Sequence, residues 1–526
     1  MLAIISGVLQ VVIFPLPNLY FLCWVATAPL IVGILRAQSP RTLQLSDSRV
    51  RLEPASLLQA FLLAYVNGII WYAGTCYWVL ATMHQYGGLP VAAAFGVLVL
   101  FCLYLALYHG AFGLLMALAA DRQSPFHRRA LMLAPFLWVG LELARTRISG
   151  FPWLLLGTAQ VDNVPLARIA TFTGVYGISF EIMLVNTAVA AAFLVPRDRR
   201  RSLLVAGFAA AVVLQGGRWI PAPAADADHT AYLIQANIPI LDSPEWTKNY
   251  YETTLRELSR MTVETSGNHD RQAPGTKLVV WPESPAPFYT SDPLFRDAVS
   301  QAARDAHAWL LTGSMGIRNA IQTPAAASEV YNSAALVNPD GDWVSRYDKV
   351  HLVPFGEYVP FQKFFAFASG LTKEVGEFSR GSSRRPLDAG PVKLGAFICY
   401  ESIFPDEVRQ FARNGAQVFV NVSNDGWYGD SGAYAQHLNQ SRMRAVENGR
   451  WLLLDTNTGV TSSVDPYGRI VARLPRKVRS TLAAPYGIST GTTFYTRYGD
   501  WFAYLCAIIS LAILLMRIPL RGVKEQ

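Results

Sequence analysis

The segment VKLGAFICYES, residues 392–402, decides the fold of the polar part of this chain. Its first seven residues are mostly apolar, as is typical of a buried β-strand, and a sequence typical of a helix begins shortly afterwards, near Pro405. Cys399 stands at the junction between them. A strand that leads through a short turn into a helix indicates an α/β domain, with Cys399 at the end of one of its strands.

Two interpretations of Cys399 remain open at this level. A strand-to-helix junction holds a side chain where backbone N–H groups can receive an oxyanion, which favours a nucleophile. Free cysteine is also among the most buried residue types, so a structural thiol is the alternative. The other cysteines of the chain lie in or beside apolar segments: Cys23, Cys76, Cys102 and Cys506. Cys399 is therefore the one thiol in the polar part of the sequence.

The rest of the chain is too apolar for an all-soluble protein. Hydrophobic residues make up 52% of the sequence and charged residues 16%, which indicates segments that lie in lipid. Eight apolar segments can be marked, at residues 1–14, 17–36, 54–74, 90–119, 130–146, 165–195, 202–220 and 499–517. A spanning helix needs about 20 apolar residues, so the first segment is short. The pattern predicts an α-helical polytopic membrane domain with about eight transmembrane helices.

The positive charges flank these apolar segments. The chain has a net charge of +8, and Lys and Arg follow alternate segments, for example Arg36, Arg128 and Arg517, while the loops around residues 15–17 and 75–89 carry none. This distribution is the positive-inside pattern, and it argues against a basic face for nucleic acid. It places both termini in the cytoplasm. The predicted domains are 1–220 with helices 1–7, an extracytoplasmic domain 221–498, and 499–526 with the final helix and a cytoplasmic tail.

The region 221–498 alternates short apolar runs with amphipathic ones. Strands are predicted at 231–237, 277–281, 309–314, 334–337, 392–399, 417–422 and 451–455, and helices at 250–264, 293–308, 405–414 and 435–448. Strands alternating with helices predict an α/β domain with layered sheets. A turn at Pro466 suggests a closing hairpin.

Two charged residues in this region could act with a thiol. Glu283 follows an apolar strand and is flanked by Trp281 and Pro282, whose desolvating effect would suit a general base; the alternative is a solvated carboxylate in a turn. Lys349 lies among aromatics and prolines and could stabilise an oxyanion; the alternative is a surface lysine, since most lysines are exposed. No metal-binding or nucleotide-binding motif appears in the sequence, so no cofactor is expected.

Four local sequences carry a resemblance to a known family. They are WPES at 281–284, YDKVHLVPFGEYVP at 347–360, ICYES at 398–402 and NDGWYG at 424–429. The order Glu, Lys, Cys resembles the catalytic triad of the nitrilase superfamily, and the local sequences are similar to those of its membrane-embedded branch, the bacterial apolipoprotein N-acyltransferases. That family has eight membrane segments with a nitrilase-like αββα sandwich domain inserted before the last, an order similar to the one predicted here.

The resemblance implies a role for each matching residue. Cys399 would be the nucleophile that takes an acyl chain as a thioester, Glu283 the base that removes its proton, and Lys349 the cation that stabilises the tetrahedral intermediate. Supporting residues of the active site would be Glu357, Tyr400, Glu401 and Trp246. The spacing before Trp246 differs from the family pattern, so an ordinary amphipathic-helix tryptophan remains its alternative.

The resemblance also implies partners and a location. The acyl donor would be a phospholipid, typically phosphatidylethanolamine, and the acceptor the α-amino group of a diacylglyceryl lipoprotein. The location would be the bacterial inner membrane, with the catalytic domain on the periplasmic side. An aromatic stripe, Phe361, Phe364, Phe365 and Phe367, suggests a lid or a lipid-dipping arm, with core packing as the alternative. Two other functions compete: a membrane-tethered nitrilase-type amidase, and a non-enzymatic lipid or lipoprotein binder.

Overall fold

The computed structural model describes residues 1–36, 54–120, 127–194, 197–221, 223–241, 245–269, 277–318, 329–358 and 378–516. The aromatic stripe at 361–367 lies outside these residues. The chain forms two compact units. One comprises Met1–Tyr77, Phe95–Pro221 and Asp500–Gln526, and the other comprises Trp78–Ala94 and Ala222–Gly499.

The first unit is helical. Its helices are α1 (Leu2–Val12), α2 (Ala28–Leu35), α3 (Leu57–Thr75), most of α5 (Val91–Ala119), α6 (Arg128–Ala144), α7 (Val164–Ala167), α8 (Ala170–Thr173), α9 (Val175–Leu194), α10 (Arg197–Gly216) and α16 (Trp501–Leu515); the short helix α4 (Trp78–Ala81) belongs to the second unit. Each of the eight predicted apolar segments overlaps at least one of these helices. Among the described residues, four helical stretches are long and apolar enough to cross a membrane: Leu57–Thr75, Val91–Ala119, Val175–Leu194 and Arg200–Trp219.

Polar side chains in this unit bind backbone groups and form ion pairs that join its helices. Asn186 accepts hydrogen bonds from the N–H groups of Thr27 and Ala28, which begin helix α2, so it satisfies donors that a helix start leaves without intrahelical partners. Arg147 pairs with Asp500 at 2.7 Å, which ties the end of α6 to the residue before α16. These contacts join helices that are far apart in sequence.

The second unit contains two six-stranded sheets. The first sheet has the order β12-β1-β2-β3-β4-β5 and the second the order β11-β10-β9-β8-β7-β6. The strands are β1 (His229–Gln235), β2 (Leu278–Val280), β3 (Trp309–Arg318), β4 (Glu329–Val337), β5 (Trp343–Asp348), β6 (Leu387–Ala389), β7 (Val392–Ile398), β8 (Val418–Ser423), β9 (Leu452–Thr456), β10 (Ser462–Val464), β11 (Ile470–Arg473) and β12 (Ser480–Tyr486). In each sheet three central strands are parallel, β1-β2-β3 and β7-β8-β9, and the outer pairs are antiparallel.

The two sheets share one apolar core, and helices cover their outer faces. Alternate residues of β1 show the arrangement: Ala231 and Leu233 face the cluster shared with the second sheet, while Tyr232 and Ile234 face a cluster formed with α11 (Lys248–His269) and α12 (Pro293–Ala306). This alternation is the period-2 pattern of a strand buried on both faces. Helices α13 (Pro405–Arg413) and α14 (Ala433–Asn448) pack on the second sheet, and the unit ends with α15 (Phe494–Tyr498).

The predicted strands and helices of this region all appear, with shifted ends. The turn at Pro466 joins β10 and β11 as an antiparallel hairpin, as predicted. Strands β5, β6 and β12 were not predicted; they lie outside the three parallel strands of each sheet. Strand β5 carries charged and polar residues along most of its length, WVSRYD, and is only partly buried, so its hydrophobic pattern was too weak to identify it.

Candidate active site

The residues singled out in the sequence lie directly after strands of the two sheets. Glu283 follows β2, Lys349 follows β5 and Cys399 follows β7. In open α/β sheets, ligands bind outside the carboxyl ends of parallel strands. All three residues are buried: Glu283 and Cys399 are 7% exposed, and Lys349 is 1% exposed. A solvated turn carboxylate and a surface lysine, the two alternatives left open for Glu283 and Lys349, do not describe these positions.

Lys349 is held by two carboxylates. Its Nζ donates a hydrogen bond of 2.8 Å to Oε1 of Glu357 and lies 3.6 Å from Oε1 of Glu283. Burial alone lowers the pKa of Lys349, but Glu357, Glu283 and Cys399 outweigh it, so the pKa of this lysine is raised above its ordinary value. Lys349 is therefore a fixed positive charge. An ammonium group has three donors, and the contacts with these two carboxylates leave at least one for another oxygen.

Asn332, which the sequence analysis did not single out, connects the two carboxylates. Its Nδ2 donates 2.8 Å to Glu283 and 2.7 Å to Glu357, while its backbone oxygen accepts the N–H of Lys349 at 2.8 Å. The other oxygen of Glu283 accepts the N–H of Asn424 at 2.8 Å. Nothing in the local sequence indicates that an asparagine inside an apolar strand binds two carboxylates. Asn332 reaches Glu283 and Glu357 because β4 pairs with β5.

Cys399 begins a 3₁₀ turn, residues Cys399–Ile403, and its φ of 48° lies in the left-handed region. Non-glycine residues seldom adopt this conformation, and they do so mostly where the surrounding structure enforces it. Burial and the nearby Glu283 raise the pKa of the Cys399 thiol well above its ordinary value, against the opposing effects of Lys349 and a hydrogen bond with Ser423. The thiol is therefore protonated at rest and would need a base in order to act as a nucleophile.

Glu401 connects the turn that begins at Cys399 to the loop that begins at Lys349. Its Oε1 accepts hydrogen bonds from the Tyr347 hydroxyl at 2.7 Å and from the N–H groups of Val350 and His351 at 2.8 and 3.0 Å. Its Oε2 accepts the N–H of Ile398 at 2.8 Å. Four donors thus converge on one buried carboxylate, which fixes the backbone on either side of Lys349 and Cys399 in a single arrangement.

The two remaining predicted site residues, Tyr400 and Trp246, have different surroundings. Tyr400 follows Cys399 and packs its ring against Phe404, with centroids 5.2 Å apart. Trp246 packs instead against the cluster of the first sheet with α11 and α12, where its ring lies 5.1 Å from that of Tyr250. The structure therefore brings together Glu283, Lys349, Glu357 and the Cys399–Glu401 turn, and places Trp246 with the helices.

A segment from the first half of the chain contacts the loop that follows β8. Thr82 donates a hydrogen bond of 2.9 Å to the carbonyl of Trp427, and the rings of Trp78 and Tyr428 lie 5.2 Å apart. Both partners belong to the second unit, which includes Trp78–Ala94. Residues 425–428 come directly after Asn424, whose N–H binds Glu283. The segment that contains Trp78 and Thr82 therefore packs against the loop that holds Glu283.

Comparison with known proteins covers almost the whole sequence. Residues 6–188 match the apolipoprotein N-acyltransferase N-terminal domain, and residues 231–489 match the carbon-nitrogen hydrolase family. The chain is 34% identical to an apolipoprotein N-acyltransferase of Geobacter metallireducens, over 100% of this chain and 96% of the relative. It is 35% identical to that of Methylococcus capsulatus, over 86% of this chain and 87% of the relative. An amidase from Nesterenkonia sp. matches with a TM-score of 0.37 and 19% identity, over 54% of this chain and 97% of the other.

The family resemblance read from the four local sequences is thereby confirmed. The relatives that span both parts of the chain are bacterial proteins, and the helical part and the α/β part of this chain each match a separate family. By the identity and coverage of these matches, this chain belongs to the apolipoprotein N-acyltransferase family and is an acyltransferase enzyme.

Proposed function

We propose that this chain completes lipoprotein maturation by moving a fatty acyl chain from a phospholipid, through a thioester on Cys399, to the α-amino group of an N-terminal S-diacylglyceryl cysteine. One observation carries the proposal: a buried thiol, a buried carboxylate and a buried ammonium group follow three strands and interact electrostatically. Acyl transfer needs a nucleophile, a base and a stabiliser of negative charge, and these three groups supply one of each.

The first half-reaction forms the thioester. As the sulfur of Cys399 attacks the ester carbonyl of the phospholipid, Glu283 takes the thiol proton. The oxygen of the tetrahedral intermediate becomes negative, and Lys349, whose pKa is raised, stabilises it as a full positive charge. The intermediate collapses by breaking the ester C–O bond. Glu283 then gives its proton to the departing oxygen, so that a lysophospholipid leaves.

The second half-reaction forms an amide. The α-amino group of the lipoprotein attacks the thioester carbonyl, Glu283 takes a proton from that amine, and the C–S bond breaks. The sulfur of Cys399 recovers the proton, and the product is a triacylated lipoprotein. Ping-pong kinetics follow from this division into two steps. Exclusion of water is required throughout, because hydrolysis of the thioester would waste the acyl group.

Supporting roles are proposed for four further residues. Glu357 holds Lys349 in place, and Glu401 fixes the backbone on both sides of the triad. Tyr400 borders the nucleophile. Trp246 packs against the apolar cluster that the first sheet forms with α11 and α12, so its proposed contribution is to support that part of the domain.

The proposed arrangement in the membrane has eight transmembrane helices, of which four are the candidate spans described above. The arginine-rich loops support cytoplasmic termini and a periplasmic catalytic domain, 221–498, between helices 1–7 in residues 1–220 and the last helix in 499–526. The membrane would be the bacterial inner membrane, where a phospholipid donor such as phosphatidylethanolamine and a diacylglyceryl lipoprotein acceptor are both available. No cofactor is needed for either half-reaction.

The proposal is tested by looking for an acyl adduct on the protein. The purified full chain is mixed with phosphatidylethanolamine without acceptor, and intact-mass spectrometry is expected to show one added fatty acyl group. The Cys399→Ala variant should show none, whereas Cys102→Ala, which removes a buried thiol in helix α5, should behave as the wild type. Addition of a diacylglyceryl peptide should then discharge the adduct and acylate the peptide.

The competing functions give different results in the same experiment. A membrane-tethered amidase would hydrolyse a short-chain amide in a Cys399-dependent way without gaining mass from phospholipid. A non-enzymatic binder would retain lipid only non-covalently, and equally in the Cys399→Ala variant. A wild-type protein that gains no acyl mass before acceptor is added would contradict the proposal.

A further inference from the structure

The backbone conformation of Cys399 must be stabilised by contacts with neighbouring residues. Its φ of 48° places a non-glycine residue in the left-handed region, a strained conformation that persists only where the surrounding structure enforces it. Hydrogen bonds to the carbonyl group of Cys399 are one means of holding this backbone conformation. Asn421 donates to it only at 3.5 Å and makes a shorter bond, 3.1 Å, to the carbonyl of Phe397.

His437, on helix α14, is the second side chain at that carbonyl. It is completely buried, and its Nε2 lies 3.1 Å from the Cys399 oxygen and 2.7 Å from Oγ of Ser402. A carbonyl oxygen can only accept a hydrogen bond. The contact with Cys399 is therefore a hydrogen bond when Nε2 carries the hydrogen.

The opposite side of the imidazole faces the loop that supports Glu283. Nδ1 lies 3.2 Å from Oδ1 of Asp425, an ion-pair contact rather than an aligned hydrogen bond. Asp425 also accepts the Ser423 hydroxyl at 2.7 Å, and it follows Asn424, whose N–H binds Glu283. A Cβ added to Gly459 would lie 2.3 Å from the other carboxylate oxygen of Asp425, so this carboxylate has little room to move.

The combination of Ser402, His437 and Asp425 resembles a Ser-His-Asp hydrolase triad in composition only. The Ser402 side chain has no exposed surface, so no substrate carbonyl can reach its oxygen. The nitrogen that would have to take the serine proton is also the one that contacts the Cys399 carbonyl. This group can therefore position other residues, but it cannot be a second nucleophile.

We propose that His437 is a positioning residue for acyl transfer, which holds the carbonyl of Cys399 on one side and the Asp425 loop behind Glu283 on the other. The inference rests on the proposed role of Cys399 as the acyl-accepting nucleophile. His437 adds a side-chain link between the Cys399 turn after β7 and the loop after β8, whose Asn424 N–H binds Glu283. It therefore acts beside the contacts of Glu401, which connect the Cys399 turn to the loop that begins at Lys349.

The charges around His437 support the imidazolium form, in which Nε2 donates to the Cys399 carbonyl and the positive charge faces Asp425. Burial lowers the pKa of His437, but Asp425, the Cys399 carbonyl and Glu283 together raise it above its ordinary value. The titratable groups that face it are Asp425 and Tyr428 on the loop after β8, Glu283 after β2, and Cys399. Burial raises the pKa of Tyr428 and of Cys399 well above their ordinary values, so both are neutral. The imidazolium is thus the favoured form at low pH and is lost as the pH rises through the raised pKa.

The test compares three variants of the full chain. His437→Phe removes both donors at similar volume, and His437→Gln keeps one N–H that can reach the Cys399 carbonyl and does not titrate. Ser441→Ala is the matched control, because it removes a buried hydroxyl one turn along the same helix that bonds only the carbonyl of His437. Single-turnover acylation is measured by intact mass between pH 6 and 9. Alkylation of Cys399 by iodoacetamide is measured on the cysteine's own peptide.

The expected result is a loss of about tenfold or more in both rates for His437→Phe, partial recovery in His437→Gln, and wild-type rates in Ser441→Ala. Wild-type acylation should also decline as the pH rises through the pKa of His437, and this decline should be absent in His437→Gln. Lys349 does not produce it, because its pKa is raised above its ordinary value.

Wild-type rates in a folded His437→Phe would overturn the proposal, as would the same alkaline decline in wild type and His437→Gln. If His437→Phe does not fold, the pH comparison between wild type and His437→Gln decides alone. Failure of the proposed function is distinguishable, since the wild type would then gain no acyl mass while the alkylation rates still report on His437.

Discussion

Lys349 donates its short hydrogen bond, 2.8 Å, to Glu357, while Glu283 lies at 3.6 Å. The lysine is thus neutralised mainly by a carboxylate that is not the proposed base, and Glu283 makes no short hydrogen bond with the lysine.

Glu357→Gln tests this division. Without the charge of Glu357, Lys349 is expected to shift towards Glu283 and pair with the base, so acylation of Cys399 should fall about 10- to 100-fold. Single-turnover acylation by intact mass measures the effect. Glu252→Gln, at an exposed ion pair with Lys248, is the control and should leave the rate unchanged. Equal rates in the two variants would remove Glu357 from the mechanism.

Asn332→Leu removes the amide that bonds both Glu283 and Glu357. Each carboxylate then loses a buried donor, which costs about 1–3 kcal/mol per group. The melting temperature and the acylation rate are both expected to fall. Thr312→Val, which removes a buried hydroxyl from the neighbouring strand β3, should lower the melting temperature without a comparable loss of rate. A similar loss of rate in both variants would indicate only a general defect of the sheet.

Glu401→Gln is expected to disrupt the turn at Cys399. The carboxylate accepts four hydrogen bonds, and in either orientation the amide of glutamine turns a donor towards a donor, so at least one backbone N–H loses its acceptor. The acylation rate should fall about 100-fold, as a displacement of about 1 Å can cause. Tyr347→Phe removes only one of the four donors and should cost far less. The reverse order of severity would contradict this account.

Gly313→Ala tests the close approach of β3 to the Glu283 turn. A Cβ at this position would lie 2.2 Å from the Pro282 oxygen and 2.7 Å from Cα of Glu283, so the base must move. Acylation should fall at least about tenfold, measured as before. Gly491→Ala is the control in the same unit, because a Cβ there meets nothing within 4 Å. A wild-type rate in Gly313→Ala would show that the turn can relax without displacing Glu283.

Glu407 should contribute to the pH dependence of stability. Burial raises the pKa of Glu407, but its contacts with His351 and Arg384 outweigh burial and lower it below the ordinary value. A carboxyl whose pKa is lowered by folding stabilises the protein above its unfolded pKa, and the contribution is lost as the pH falls through the folded pKa. The difference in melting temperature between wild type and Glu407→Gln should therefore be largest near neutral pH and shrink on acidification. Asp388→Asn, at an exposed pair, should show no such trend.

The sequence predicted the helical and α/β parts, the central parallel strands and the strand ends that carry Glu283 and Cys399. Parallel strands buried on both faces have long apolar runs, and these are readable without tertiary information. Strands β5 and β12 were missed because outer strands are held by pairing with a neighbour rather than by their own pattern. Lys349 was found by its local sequence, although the strand before it was not.

What the sequence by itself determined was the set of reactive residue types, their order along the chain, and the division between apolar and polar parts. Only the tertiary structure decided which partners those residues have. Asn332 and His437 carry no chemical signal in a strand and a helix, yet pairing of β4 with β5 and packing of α14 on the second sheet place them at Glu283 and at the Cys399 carbonyl. The physical reason is that hydrogen bonds of about 3 Å depend on the distance between residues far apart in the chain, which local patterns do not encode.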